Sequence, residues 1–238
     1  MNIQKLLIGL SAFGLIIPVG AHAQDSGAVI VTAQRSDRSS YEYYDDDQSA
    51  IGLTRTADYF VKPMFVSSDS RDINERKQEL HAMLRAAIER SRGSGISLVA
   101  GSYSLRPVTI ENYEELPLAY GGRPDTNRVQ IYARIPVDSS VQRASDADKL
   151  IEAFAKTIPA TGRSFIETGT TALAIDNPDQ YRFAVVKEVA AEAKRYAGLF
   201  GSDYGVEING LDSELYWQQA SENEVFLYIE HSFKIAPK

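Results

Sequence analysis

Hydrophobic and polar positions alternate most regularly between residues 128 and 137. Val129, Ile131, Ala133, Ile135 and Val137 interleave with Arg128, Gln130, Tyr132, Arg134 and Pro136. A two-residue period sends the two sets to opposite faces of a pleat, so this stretch predicts a strand buried on one side. Over three other stretches the period lengthens to that of a helix. Ile73, Leu80, Leu84, Ala87 and Ile88 form the apolar stripe of a helix capped by Asp69 or Ser70, running to about residue 92 and stopped by Gly93 and Gly95. Ala147, Leu150, Ile151, Phe154, Ala155 and Ile158 predict a second helix over about 146–158, closed by Pro159 and Gly162. Pro178 opens a third, which carries Val186, Val189, Ala190, Ala193, Ala197 and Phe200 along one side and ends at Gly201.

The remaining apolar segments read as strands: 59–66, where Pro63 marks an edge or a bulge, then 96–108, and 164–175, weak at Gly169. Two more, 205–218 and 224–235, are joined by a hairpin connection at 220–223. A long turn-rich loop containing Pro117, Gly121, Gly122 and Pro124 precedes the regular strand. Strands that follow one another directly, with helices between other strands, predict an α+β fold. The expected architecture is a mixed, largely antiparallel sheet with about three packed helices.

The first 23 residues follow a different pattern. Lys5 supplies one positive charge, an apolar run extends from Leu6 to Val19, and Ala21-His22-Ala23 follows. This is the order of a cleavable secretory signal peptide, and the run is shorter than the roughly 20 residues a membrane span requires. No cysteine follows it, which excludes a diacylated lipoprotein, and no twin arginine precedes it. Residues 24–56 begin with the β-prone Ala28-Val29-Ile30-Val31-Thr32 and then turn polar, with too few large aliphatics to offset ordering entropy. They are expected to form a flexible or loosely docked polar leader, and residues 57–238 one α+β domain. No later segment has the length and apolarity of a membrane span. The mature chain is therefore expected to be soluble and periplasmic, with association with the outer envelope as the second option.

Composition narrows the range of partners. The formal net charge is −7, and removing the single Lys of the signal makes the mature chain about −8. Phosphate backbones and anionic lipid surfaces both require a basic face, so nucleic acid and simple adhesion to anionic lipid are excluded as expectations. There is no cysteine, hence no disulfide, thiol nucleophile or thiolate metal site. Stability must come from the core, which 44% hydrophobic residues can supply.

Candidate chemistry is sparse. Two histidines lie beyond the signal: His81 beside the first helical stripe, and His231 in phase with Val225, Leu227, Ile229, Phe233 and Ile235. Lone histidines on such faces are expected to be hydrogen-bonded core residues rather than ligands or bases. Asp45-Asp46-Asp47 lacks the spaced ligands and glycine of a calcium loop and reads as a solvated charge run. Glu111, Glu114 and Glu115 share the long loop, where nothing sets the separation that a carboxylate pair needs. No nucleophile elbow, zinc-helix or phosphate-loop motif occurs. The expectation is therefore no catalytic residue, no metal and no cofactor. Tyrosine offers contact area at low entropic cost. The tyrosines of the loop and leader, Tyr113, Tyr120, Tyr43 and Tyr44, are accordingly the candidate partner contacts. Trp217, the sole tryptophan, fits either core filling or contact.

The segment from Tyr181 to Ala197, YRFAVVKEVAAEAKRYA, is followed by Gly201 and a strand pair ending in Val225-Phe226-Leu227-Tyr228-Ile229. With the helix over 72–92 leading through Gly95 into Ile96-Ser97-Leu98, this order resembles the SIMPL domain family of exported bacterial proteins, over roughly residues 57–236. The Gly-rich opening strand usual in that family has no counterpart near residue 57. The resemblance implies an α+β domain of the periplasm or outer envelope, a tendency toward large homo-oligomers, and no catalytic residues to carry over. A shorter stretch, Val29-Ile30-Val31-Thr32-Ala33-Gln34-Arg35, is similar to the start of the plug in TonB-dependent receptors, and implies a strand that a transducing partner could take up.

Three readings of function follow. One is a non-enzymatic envelope protein that self-associates as a scaffold or stress-related factor. A second is a monomeric binding module contacting an envelope partner or ligand through the leader or the loop 109–125. A third is a carboxylate-pair hydrolase.

Overall fold

The computed structural model describes residues 28–31, 51–102 and 104–238. The expected signal peptide, the acidic triplet and most of the expected leader lie outside them. The described strands are β1 (Ala28–Val31), β2 (Leu53–Thr56), β3 (Tyr59–Ser68), β4 (Ser97–Ala100), β5 (Arg106–Pro107), β6 (Ala119–Tyr120) and β7 (Asn127–Pro136). After these come β8 (Ser164–Thr168), β9 (Ala172–Asp176), β10 (Tyr204–Asn209), β11 (Leu215–Gln219), β12 (Glu224–Ile229) and β13 (Ser232–Pro237). Three helices stand between them: α1 (Ile73–Ser91), α2 (Ala144–Thr157) and α3 (Arg182–Gly198). The fold is α+β, and every described strand pair is antiparallel.

The main sheet has eight strands, and its path runs β1-β9-β3-β7-β4-β5, with β6 added to β7 and β8 added to β3. The full-length pairing of β3 with β7 is its spine. The alternation expected for β7 is observed: Val129, Ile131, Ala133 and Ile135 are buried. They share one core with Phe60, Met64 and Val66 of β3, Leu80, Leu84 and Ala87 of α1, and Ala147, Ile151 and Phe154 of α2. A smaller cluster, Val61, Val99, Leu105 and Ala174, lies apart from that core, and Val61 is out of phase with Phe60 and Met64 along β3.

Pro63 sits in the spine strand rather than at an edge. On its other side β8 and β9 are two halves of one line broken by a bulge. Met64 pairs with Thr168 and Val61 with Ala172, so Lys62 and Pro63 face three residues, 169–171. The carbonyl of Pro63 accepts from Gly169 N–H at 2.9 Å. The missing proline N–H falls where the ladder is already interrupted, which is how an interior strand tolerates it.

Other expectations change in detail. Asp72 caps α1, accepting from the N–H groups of Asn74 (2.8 Å) and Glu75 (3.1 Å), because Ser70 and Asp69 are held by Glu79 and Arg163. Ile73, Leu150 and Phe200 are exposed rather than part of their helix stripes. Along α3 the buried positions are Val185, Val189, Ala193 and Ala197. The single strand expected over 96–108 folds back as the β4–β5 hairpin. Gly101 has φ +146°, and a Cβ there would lie 1.9 Å from the Ser104 carbonyl oxygen, so only glycine closes this turn.

Each described piece of the segment 24–56 contributes one strand to the sheets. β1 extends the main sheet beyond β9, with Val29 buried in the core. β2 completes a three-stranded sheet with β12 and β11. That sheet joins the main core through Leu215, Val225, Leu227 and Ile229, and the Glu222 carboxylate accepts from the Ala144 N–H at the start of α2 at 3.0 Å. The expected hairpin at 220–223 is present. Its two arms are each divided, so that beyond β11 and β12 the chain continues as the ribbon β10–β13.

Candidate interaction site

Among the proposed contact tyrosines, Tyr113 is corrected. It is 3% exposed and belongs to the core. Its hydroxyl accepts from Arg85 Nη2 at 2.5 Å and donates to Glu114 Oε1 at 2.7 Å, while His81 meets its ring edge-on at 5.7 Å. The ring therefore anchors the loop to α1, because a tyrosine with both hydroxyl partners supplied on site loses little by burial. Tyr120 is 61% exposed, on β6, near the exposed Leu118. Tyr43 and Tyr44 lie outside the described residues.

Glu111 and Glu114 of the loop, and His81 of α1 beside it, are held by neighbouring groups. Burial, together with Lys77 and Arg85, holds His81 below the ordinary histidine range against the opposing pull of Glu114. The Tyr113 hydroxyl holds Glu114 low, with His81, Arg85 and Lys77 acting in the same sense. Glu111 is held low by the Thr109 hydroxyl. His231 lies in the break between β12 and β13, with Nδ1 2.7 Å from the Ile229 carbonyl oxygen. Trp217 packs half-buried against the core opposite Leu227. Among the described residues no group of three or more acidic or histidine side chains is arranged to hold a metal ion.

Two charged networks were not legible as sites. Lys62, 3% exposed on β3, donates to Asp148 Oδ1 (2.5 Å) and Glu152 Oε1 (3.2 Å) of α2, and Thr171 in the bulge donates to the same Asp148 oxygen at 2.7 Å. Glu79 of α1 accepts from Ser68 Oγ (2.5 Å), Ser70 Oγ (2.8 Å) and the Arg163 N–H (3.1 Å), and Arg163 grips Asp69 with two nitrogens. Both networks tie a helix to the sheet with their donors and acceptors already matched, so they act as clamps rather than as open chemistry.

What remains uncovered is an arm. The ribbon β10–β13 packs against α3 and, among the described residues, pairs with no third strand. Beside it α3 unwinds at Leu199 and Phe200, and Gly201, with φ +117°, turns the chain into β10. Leu199 is 77% and Phe200 61% exposed. The Phe200 and Tyr204 rings lie 5.8 Å apart, and Tyr196 stacks on Phe233 at the same distance. Large apolar side chains clustered at the end of an element, next to two open strand edges, are the features that mark an interaction surface.

Comparison with protein families, with curated proteins and with solved structures finds no match to the chain.

Proposed function

We propose that this chain is a non-enzymatic protein of the periplasm or outer envelope, of SIMPL type, which self-associates as a scaffold or stress-related factor. The observation that carries the reading is the arm. Leu199, Phe200 and Tyr204 are exposed next to edges of β10 and β13 that no other described strand pairs with. Burying two or three such side chains against a second copy is worth about 1.5–3 kcal/mol each. The resemblance of the 181–197 helix and the strand pair after it to the family adds the expectation of large homo-oligomers and of export. Light scattering on a sizing column tests the reading. A discrete mass of several chains supports it, and a monomer of about 24 kDa, from 215 residues at about 110 Da each, overturns it.

One observation favours the second reading, a monomeric binding module. Leu118 and Tyr120 are both exposed within four residues of the loop 109–125. If the chain is monomeric and a Tyr120→Ala variant loses capture of an envelope partner, that reading takes its place.

A further inference from the structure

We infer that two copies of the chain pair through the outer edge of β10, in an antiparallel ladder about a two-fold axis centred on Val206. The inference rests on the self-association proposed above and names its surface.

The two edges of the ribbon differ. β13 carries Lys234 and ends in Pro237, with Lys238 next, and Pro237 has no N–H to donate. Lysine and proline are the residues that guard an edge against pairing. β10, Tyr-Gly-Val-Glu-Ile-Asn, carries neither, and the exposed Phe200 and Tyr204 rings lie at its start. Among the described residues β13 alone pairs with it, on one side.

Charge and face then select the register. Val206 and Ile208 are half-buried on one face of the ribbon, and Glu207 is exposed on the other. Directly opposed residues in an antiparallel ladder lie on the same face, so an axis perpendicular to the sheet must pass through a residue rather than between two. Centring on Gly205 sets Asp203 against Glu207 of the copy, and centring on Glu207 sets that carboxylate against itself. Both oppose like charges, which destabilises a ladder. Centring on Val206 pairs residues 204–208 without any charge opposition. Val206 then meets Val206, Ile208 meets Tyr204 and Glu207 meets Gly205. Such a contact is isologous and closes as a dimer, the unit from which larger assemblies of even number are built. The exposed Phe200 and Tyr204 rings, at the start of β10, then lie beside the joint.

The absence of cysteine makes the test direct. The full chain with Val206→Cys, purified after export and treated with oxidised glutathione, is expected to run mostly as a covalent dimer. A Glu207→Cys chain is expected to stay monomeric on the same gel, because diagonal positions lie about 7–8 Å apart and exceed disulfide reach. Should Val206→Cys fold poorly, a mixture of Tyr204→Cys and Ile208→Cys chains reports the same register by a mixed cross-link. An assembled mass in solution without these cross-links, or with one through Ile235→Cys on β13, overturns the β10 assignment and leaves self-association standing. A monomeric mass overturns both.

Discussion

Lys62 of β3 and Asp148 of α2 meet at 2.5 Å although 86 residues separate them, with the lysine buried and the carboxylate partly exposed. Burial pushes Lys62 down, but hydrogen bonds to Asp148 and Glu152 outweigh it and leave the ammonium above its ordinary value. The same contact, with the Thr171 hydroxyl, holds Asp148 below the ordinary aspartate range. Asp148→Asn is expected to lower stability by about 2 kcal/mol, since a charged hydrogen bond is lost while Glu152 still pairs with the lysine. The midpoint of urea unfolding measures this.

The pair also sets a pH window. A depressed Asp148 contributes its stability above about pH 3.9 and loses it as pH falls through the folded value, whereas a raised Lys62 contributes below about pH 10.4 and loses it as pH rises further. The contribution should be flat between those limits. In Asp148→Asn the acid loss should be shallower than in the parent, as followed by unfolding midpoints from pH 3 to 7.

Gly162 closes over Glu79. Its φ is +57°, and a Cβ at that position would lie 1.9 Å from Glu79 Oε1. Gly162→Ala is expected to cost about 1–3 kcal/mol, from backbone strain and from pushing the carboxylate off its serine and backbone donors. In a Glu79→Ala background the same substitution should cost less, because the collision is gone and only the strain remains. A double-mutant cycle separates the two.

The two described tyrosines of the loop should behave oppositely. Tyr113→Ala empties a core position and is expected to cost about 3 kcal/mol, whereas Tyr120→Ala should change stability by no more than about 0.5 kcal/mol. Thermal or denaturant unfolding of both variants checks the contrast.

If the arm is where copies meet, Phe200→Glu should reduce the assembled mass without lowering the unfolding midpoint of the dissociated chain. Phe200 is exposed, and its ring contacts Tyr204 rather than the core. Light scattering paired with circular dichroism reads both quantities. A variant that stays assembled places the joint elsewhere.

The sequence by itself determined the element types and the class of the fold, because hydrophobic period is a local property. The alternation from Val129 to Ile135, the α1 stripe through Leu80, Leu84 and Ala87, and the hairpin at 220–223 are all visible in neighbouring residues. Only the tertiary structure decided what depends on distant partners. Tyr113 differs from Tyr120 because Arg85 and His81 of α1 receive it. The leader's β-prone start and its polar end at Leu53–Thr56 both become strands because β9 and β12 offer edges more than 140 residues away. Lys62 is a buried cation, on an otherwise apolar face, because α2 brings Asp148 and Glu152 over it. Burial of a polar side chain is stabilised or forbidden by the partner that meets it, and a partner distant in sequence leaves no trace in the local pattern.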